Sequence, residues 1–75
     1  MSEGLMWFSK STDAVLEAAD RYAEKFGTDP DICHAYSGYQ GDAKVERRGK
    51  PDITVVQDTS MPKYHFLIGL QKEGV

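Results

Sequence analysis

Residues 11–27, STDAVLEAADRYAEKFG, are the stretch of sequence that decides the fold. Apolar side chains recur there at helical spacing and predict an amphipathic α-helix with one buried stripe. A hydroxyl at Ser11 or Thr12 suits the N-cap, where it can accept a hydrogen bond from a free amide. Gly27 suits a left-handed C-terminal position, and Pro30 prevents the helix from continuing. The predicted stripe comprises Val15, Ala19, Tyr22, Ala23 and Phe26, with Leu16 at its edge.

Short strands are predicted beyond the helix. Residues 53–56 are β-branched throughout, and residues 64–70 place aromatic and aliphatic side chains on one face by a period of two. The intervening residues 58–63 contain Pro62 and predict a hairpin loop between these two strands. Residues 31–36 fit either a strand or a short helix, and we favour the strand because the segment is short.

This order of elements predicts an α+β fold. One amphipathic helix would pack on one face of a small three- to four-stranded, mainly antiparallel sheet. A chain of 75 residues makes one domain, 1–75, with a thin margin of stability. Residues 37–52 are expected to form a long loop or hairpin arm, with 44–47 as a short edge strand. Residues 1–10 and 71–75 are the segments expected to be flexible.

The amino-acid composition argues against several classes of protein. Nine basic and twelve acidic residues give a net charge of −3, which is not the profile of a general nucleic-acid binder. Cys33 is the single cysteine, so an internal disulfide and an all-cysteine zinc site are excluded and a reducing, cytoplasmic setting is favoured. The apolar run at residues 5–8 is too short for a signal peptide or a membrane helix, so we expect no membrane association.

Strand alternation predicts a second apolar face on the sheet. Cys33 and Ala35 are small and suit close contact with the helix, which turns their neighbours to the far face. A single helix cannot cover both faces, so we expect the far face to be covered by residues 5–8 or by a second copy. For residues 5–8 we favour a short strand or a strap over the core, with an exposed hook for a partner as the alternative. The predicted far-face partner surface is Ile32, Tyr36, Val56 and Leu67.

A basic loop is an alternative site. Four positive charges fall within seven residues beside an aromatic side chain, a combination that could contact phosphates and stack on a base. The simpler interpretation is a solvated loop, since Asp42 and Asp52 flank the cluster and Glu46 lies within it. The candidate nucleic-acid contacts are Tyr39, Lys44, Arg47, Arg48 and Lys50.

One pair of residues is a remote candidate for a catalytic site. Cys33 and His65 could form a thiol–imidazole pair if their strands are neighbours, although a buried thiol and a partly exposed histidine explain both residues more simply. Adjacent Cys33 and His34 point to opposite faces of a strand and do not make a metal site. We therefore predict no catalytic residue, no metal and no cofactor.

The order of helix, strand and turn signals in the chain resembles that of small uncharacterised bacterial and phage or mobile-element proteins. The shared pattern is a helix stop at residues 26–30 (FGTDP), a strand at 53–56 (ITVV) and a Pro-containing turn into a strand at 61–66 (MPKYHF). It covers about the last two-thirds of the chain and implies no activity or site residues. Together these features predict a non-enzymatic binding or assembly module that forms a homo-oligomer or binds a protein partner, with nucleic-acid binding as the alternative.

Overall fold

The computed structural model describes residues 4–70. These residues form one helix and a five-stranded mixed sheet with the strand order β1-β5-β2-β4-β3. The α+β class is therefore confirmed, but the sheet is larger than predicted and is not purely antiparallel. The predicted flexible segment 71–75 lies outside the described residues. In chain order the elements are β1 (Gly4–Phe8), α1 (Ala14–Phe26), β2 (Ile32–Tyr36), β3 (Lys44–Arg47), β4 (Lys50–Asp58) and β5 (His65–Gly69).

The predicted hairpin between the last two strands is wrong. β2 lies between β4 and β5, pairing in parallel with β4 and antiparallel with β5. The reason is burial. Ile32, Cys33 and Ala35 are all shielded from solvent, which suits a strand with neighbours on both sides at the centre of a sheet. A hairpin of β4 with β5 would have left this apolar strand at an edge.

Residues 5–8 do not fold across the far face. They belong to β1, which lies at one edge of the sheet and pairs antiparallel with β5 along its whole length. β1 alternates strictly between exposed and half-buried positions, with Leu5 and Trp7 packed against the core. The short-strand interpretation of this segment is the one that the structure confirms.

The helix begins later than predicted and ends as predicted. Asp13 occupies the N-cap position, and its own amide donates to the Ser11 hydroxyl at 3.0 Å. Ser11 therefore shapes the turn before the helix and does not cap it. At the other end Gly27 has φ of 74° and donates its amide hydrogen to the Ala23 carbonyl at 2.8 Å. This is the left-handed C-terminal position for which glycine is suited.

The core lies between α1 and one face of the sheet. Cys33 and Ala35 do point toward the helix, as their size predicts, and neither is accessible to solvent. The helix stripe differs from the prediction, because Ala14 and Ala18 are buried, Ala23 and Phe26 are only half-buried, and Leu16 is exposed. The helix of residues 4–70 is neither long nor apolar enough to cross a membrane.

A hydrogen-bonded carboxylate fastens β1 to the helix. Glu17, in the first turn of α1, accepts hydrogen bonds from the Ser9 hydroxyl at 2.8 Å and from the Trp7 indole at 3.4 Å. The Ser9 hydrogen bond, with help from Trp7, lowers the pKa of the Glu17 carboxyl. The edge strand is thus connected to the helix through a side chain as well as to β5 through its backbone.

Replacement of Ala18 should overpack the contact between helix and sheet. Ala18→Leu adds a branched side chain at a position with no solvent exposure, so we expect a loss of about 1–3 kcal/mol in the free energy of unfolding. Urea denaturation followed by circular dichroism measures this change. Glu24→Leu, at an exposed position of the same helix, is the matched control and should shift stability by about 0.5 kcal/mol or less. Equal stability of Ala18→Leu and the control would contradict the close contact.

Loss of the Glu17 charge should destabilise the protein in a pH-dependent way. Because folding lowers the pKa of Glu17 from 4.5, its contribution is present above pH 4.5 and disappears as the pH falls through the lowered value. Glu17→Gln should therefore be less stable than the parent chain at neutral pH and equal to it in strong acid. Urea midpoints of both proteins across that range provide the measurement, and a difference independent of pH would contradict the assignment.

Candidate functional site

One face of the sheet has no helix against it among residues 4–70. Strand pairing places four side chains in a row across it, because Met6 lies opposite Leu67, Leu67 opposite His34, and His34 opposite Val56. Phe8 lies two residues beyond Met6 and shares its face. We call this surface the helix-free face and define it as Met6, Phe8, His34, Val56 and Leu67.

The helix-free face exposes large apolar side chains. Met6 is 51% exposed, Phe8 56% and Val56 40%, whereas Leu67 and His34 are half-buried between their neighbours. Exposed apolar side chains are common singly, but here they recur in register across four strands, interrupted only by His34, and grouped apolar side chains of this kind mark interaction sites. This face is the candidate functional site.

The predicted partner residues fall into two groups. Val56 and Leu67 lie on the helix-free face, where His34 separates them. Ile32 is only 6% exposed, and Tyr36 packs its ring edge-on against Phe66 with centroids 5.6 Å apart, so both are engaged within the chain.

Sequence reasoning missed Met6 and Phe8. Their signal was the alternation within GLMWF at residues 4–8, which identifies a strand. The alternation does not identify β5 as the strand with which they pair.

A polar group borders the apolar row. The Asp58 carboxylate lies 3.7 Å from His34 Nδ1. Asp58 also accepts hydrogen bonds from the hydroxyl and the amide of Ser60, which lower its pKa, and the nearby His34 contributes less. Asp58 is therefore a carboxylate at neutral pH, and it gives the apolar face a charged rim.

An aromatic cluster forms the end of the face where β1 and β2 finish. Tyr64 has φ of 65°, a left-handed conformation that is costly for a residue with a side chain. Its ring is held between those of Phe8 and Tyr36, with centroid distances of 6.4 and 5.4 Å. The ammonium groups of Lys10 and Lys63 lie 5.4 and 5.3 Å from the same ring. These contacts explain why a strained backbone is retained at the start of β5.

The candidate nucleic-acid residues are not gathered into a free basic patch. Arg47 is 6% exposed, and its guanidinium lies 3.1 Å from Asp20 and 3.5 Å from Asp29, which joins β3 to carboxylates on and just beyond the helix. Lys50 lies 3.8 Å from the same Asp29 carboxylate. The exposed basic side chains that remain from the predicted cluster are Lys44 and Arg48.

Tyr39 is fixed by contacts within the chain. Its ring lies edge-on to Phe66 with centroids 6.0 Å apart, and its hydroxyl donates to the Asp42 carbonyl at 3.0 Å. Burial raises the pKa of this hydroxyl, so it stays protonated. The ring is therefore not presented as a free platform on which a base could stack.

The thiol–imidazole pair is not assembled. Cys33 is fully buried on the helix side of the sheet, whereas His65 lies opposite Phe8 on the other side. Burial raises the pKa of the Cys33 thiol to about 12, so the nucleophilic thiolate is scarce at neutral pH. The His65 ring is engaged through Nδ1 with the Lys63 carbonyl at 2.9 Å.

Cys33 should be inert in the folded protein. Compared with a thiol of pKa 9.0, a thiol of pKa about 12 has about a thousandfold less thiolate near neutral pH, and burial blocks access as well. A chromogenic disulfide reagent should react slowly with native protein and at the normal rate in denaturant. Rapid reaction of the native protein at neutral pH would contradict the buried position of Cys33.

Neither a metal cluster among residues 4–70 nor a matching protein indicates a function for this chain. Among residues 4–70 there is no cluster of three or more His, Cys, Asp or Glu side chains that could hold a metal ion. Comparison of the chain with protein-family models, with curated proteins and with solved structures finds no match. Function must therefore be argued from the helix-free face itself.

Proposed function

We propose that the protein is a small non-enzymatic binding module that works by self-association through its helix-free face. The observation that carries the proposal is the row of Met6, Leu67, His34 and Val56, whose two end members are exposed and whose two middle members are half-buried although no helix lies against them. A second copy presenting the same row would cover it, with both helices on the outside. The interface would be isologous, which is the commonest arrangement among homo-oligomers.

The dimensions of the molecule fit this partner. Its longer extents are 28 and 27 Å, so any one face spans at most roughly 760 Å², and a standard interface of ~800 Å² per partner would need almost the whole of it. Two such faces would form a two-layer sandwich with sheets about 10 Å apart. A chain of this size gains from such burial, because its own core covers only part of its apolar surface.

The surface clefts give weaker support to any small-molecule function. Two clefts lined by residues 4–70 have volumes of about 290 Å³ each, at the lower limit of about 300 Å³ for ligand pockets. They lie beside residues 37–41 and are open to solvent. The apolar face is the larger feature, and its chemistry suits a protein surface.

Charge introduced on the helix-free face should break the assembly. We expect the wild-type chain to sediment as two or more copies at high micromolar concentration, and Val56→Lys to sediment as a smaller unit. A buried, unpaired lysine at each of two symmetry-related positions should weaken association at least tenfold, or about 1.4 kcal/mol. Analytical ultracentrifugation over a dilution series measures both quantities.

Leu16→Lys is the matched control for this experiment. Leu16 is 37% exposed, close to the 40% of Val56, but it lies on the helix in the other layer. The control should therefore keep the wild-type mass. Self-association through the helix-free face would be wrong if the wild type has the mass of one chain, or if both lysine variants behave alike.

A further inference from the structure

The two edges of the sheet are built differently. β3 is short, carries Lys44, Glu46 and Arg47, and has an irregular register between Val45 and Arg47. Charge, shortness and irregularity are the features that keep an edge strand from pairing with another chain. β1 is only one residue longer but lacks the other two features, since GLMWF is uncharged, contains no proline and pairs with β5 in unbroken register.

The backbone groups on the open side of β1 can be assigned from one hydrogen bond. The Ser9 amide donates to the Tyr64 carbonyl at 3.0 Å, and these residues continue the register in which Phe8 lies opposite His65. Hydrogen-bonded pairs alternate along an antiparallel ladder, so Leu5 and Trp7 are the residues of β1 that bond to β5. The amide and carbonyl groups of Gly4, Met6 and Phe8 therefore point away from the sheet.

These outward groups are self-complementary. A two-fold axis at Met6 places it opposite the partner's Met6, and places Gly4 opposite the partner's Phe8. Every residue in these pairs has its hydrogen-bonding groups on the open side, so each pair can exchange both of its N–H···O=C bonds. If the register shifted by one residue, the outward-pointing N–H and C=O groups of one β1 would lie opposite residues of the other β1 whose groups point toward their own β5.

The side chains agree with the same axis. Met6 and the partner's Met6 would be cross-strand neighbours, and Phe8 would lie beside the partner's Gly4, which has no side chain to crowd it. On the helix side, half-buried Leu5 would contact the partner's Trp7. The axis is perpendicular to the sheet, so both helices would stay on one side and both helix-free faces on the other.

We propose that β1 is a second interface, at which it pairs antiparallel with β1 of a second copy to form a continuous ten-stranded sheet. This edge interface uses backbone atoms and does not depend on contact through the helix-free face. The two interfaces are compatible, because a paired sheet still presents its helix-free side to another pair. Together they predict a closed assembly of four chains.

Two variants separate the edge from the face. In Val56→Lys, where contact through the helix-free face is broken, the edge interface should leave a species of two chains. Adding Met6→Pro removes an outward amide without removing a bond to β5, and proline is tolerated at such edge positions. The double variant should have the mass of one chain in sedimentation. Met6→Ala in the same background also truncates the side chain but keeps the amide, so it should remain two chains.

The outcomes distinguish the two proposals. A Val56→Lys protein with the mass of one chain overturns edge pairing but leaves the face interface standing. A two-chain species that survives Met6→Pro overturns edge pairing as well. A wild type of two chains that Val56→Lys does not change, but Met6→Pro converts to one chain, overturns the face interface alone. A wild type of one chain overturns both.

Amide exchange tests the edge interface even if Met6→Pro fails to fold. In the Val56→Lys protein the amides of Met6 and Phe8 should exchange slowly with solvent at high concentration and quickly on dilution. The amides of Leu5 and Trp7, bonded to β5, serve as the internal control and should stay protected at both concentrations. Fast exchange of Met6 and Phe8 at both concentrations would overturn the pairing.

Discussion

The structure of residues 4–70 depends on one constraint, which is that a single helix of 13 residues forms the whole second layer of a five-stranded sheet. Ala14, Ala18 and Ala19 let α1 approach the sheet closely, and the small residues Cys33 and Ala35 receive it at the centre. Because this close contact involves only the middle of the sheet, other interactions must hold the two edge strands to the helix. Glu17 holds β1 near the helix, and Arg47 holds β3 to it from the opposite edge.

The contacts of Arg47 indicate that the basic residues of the predicted 39–50 loop act first of all to stabilise the fold. Arg47 forms ion pairs with Asp20 on α1 and with Asp29 beyond the helix, so its charge is neutralised within the fold. Removing a partner from a nearly buried guanidinium would leave an uncompensated charge, which is costly. The sequence shows four positive charges close together but does not show that Asp20 of α1 and Asp29 beyond it lie beside Arg47. The separation of 27 residues between Arg47 and Asp20 is the reason that local pattern could not reveal it.

The sequence predicted what local physics determines. Helical periodicity and Gly27 predicted the position of the helix and its end. The small size of Cys33 and Ala35 correctly predicted that both side chains face the helix. Pairing between distant strands was not predicted, because alternation fixes the face on which a residue lies and not its neighbour. The hairpin of β4 and β5 failed for this reason. For the same reason the sequence placed Val56 and Leu67 on the far face but did not show that Met6 of β1 lies beside Leu67.

The two surfaces that remain open have a common origin in this topology. Because β5 returns to lie between β1 and β2, β1 is placed at an edge and adds Met6 and Phe8 to the face that α1 does not cover. The same residues direct their backbone groups outward, and no other strand among residues 4–70 pairs with β1 on that side. The opposite edge differs, since β3 carries charges and an irregular register. An edge protected on one side only permits pairing that stops after two sheets have joined, which favours a closed assembly over an open fibre.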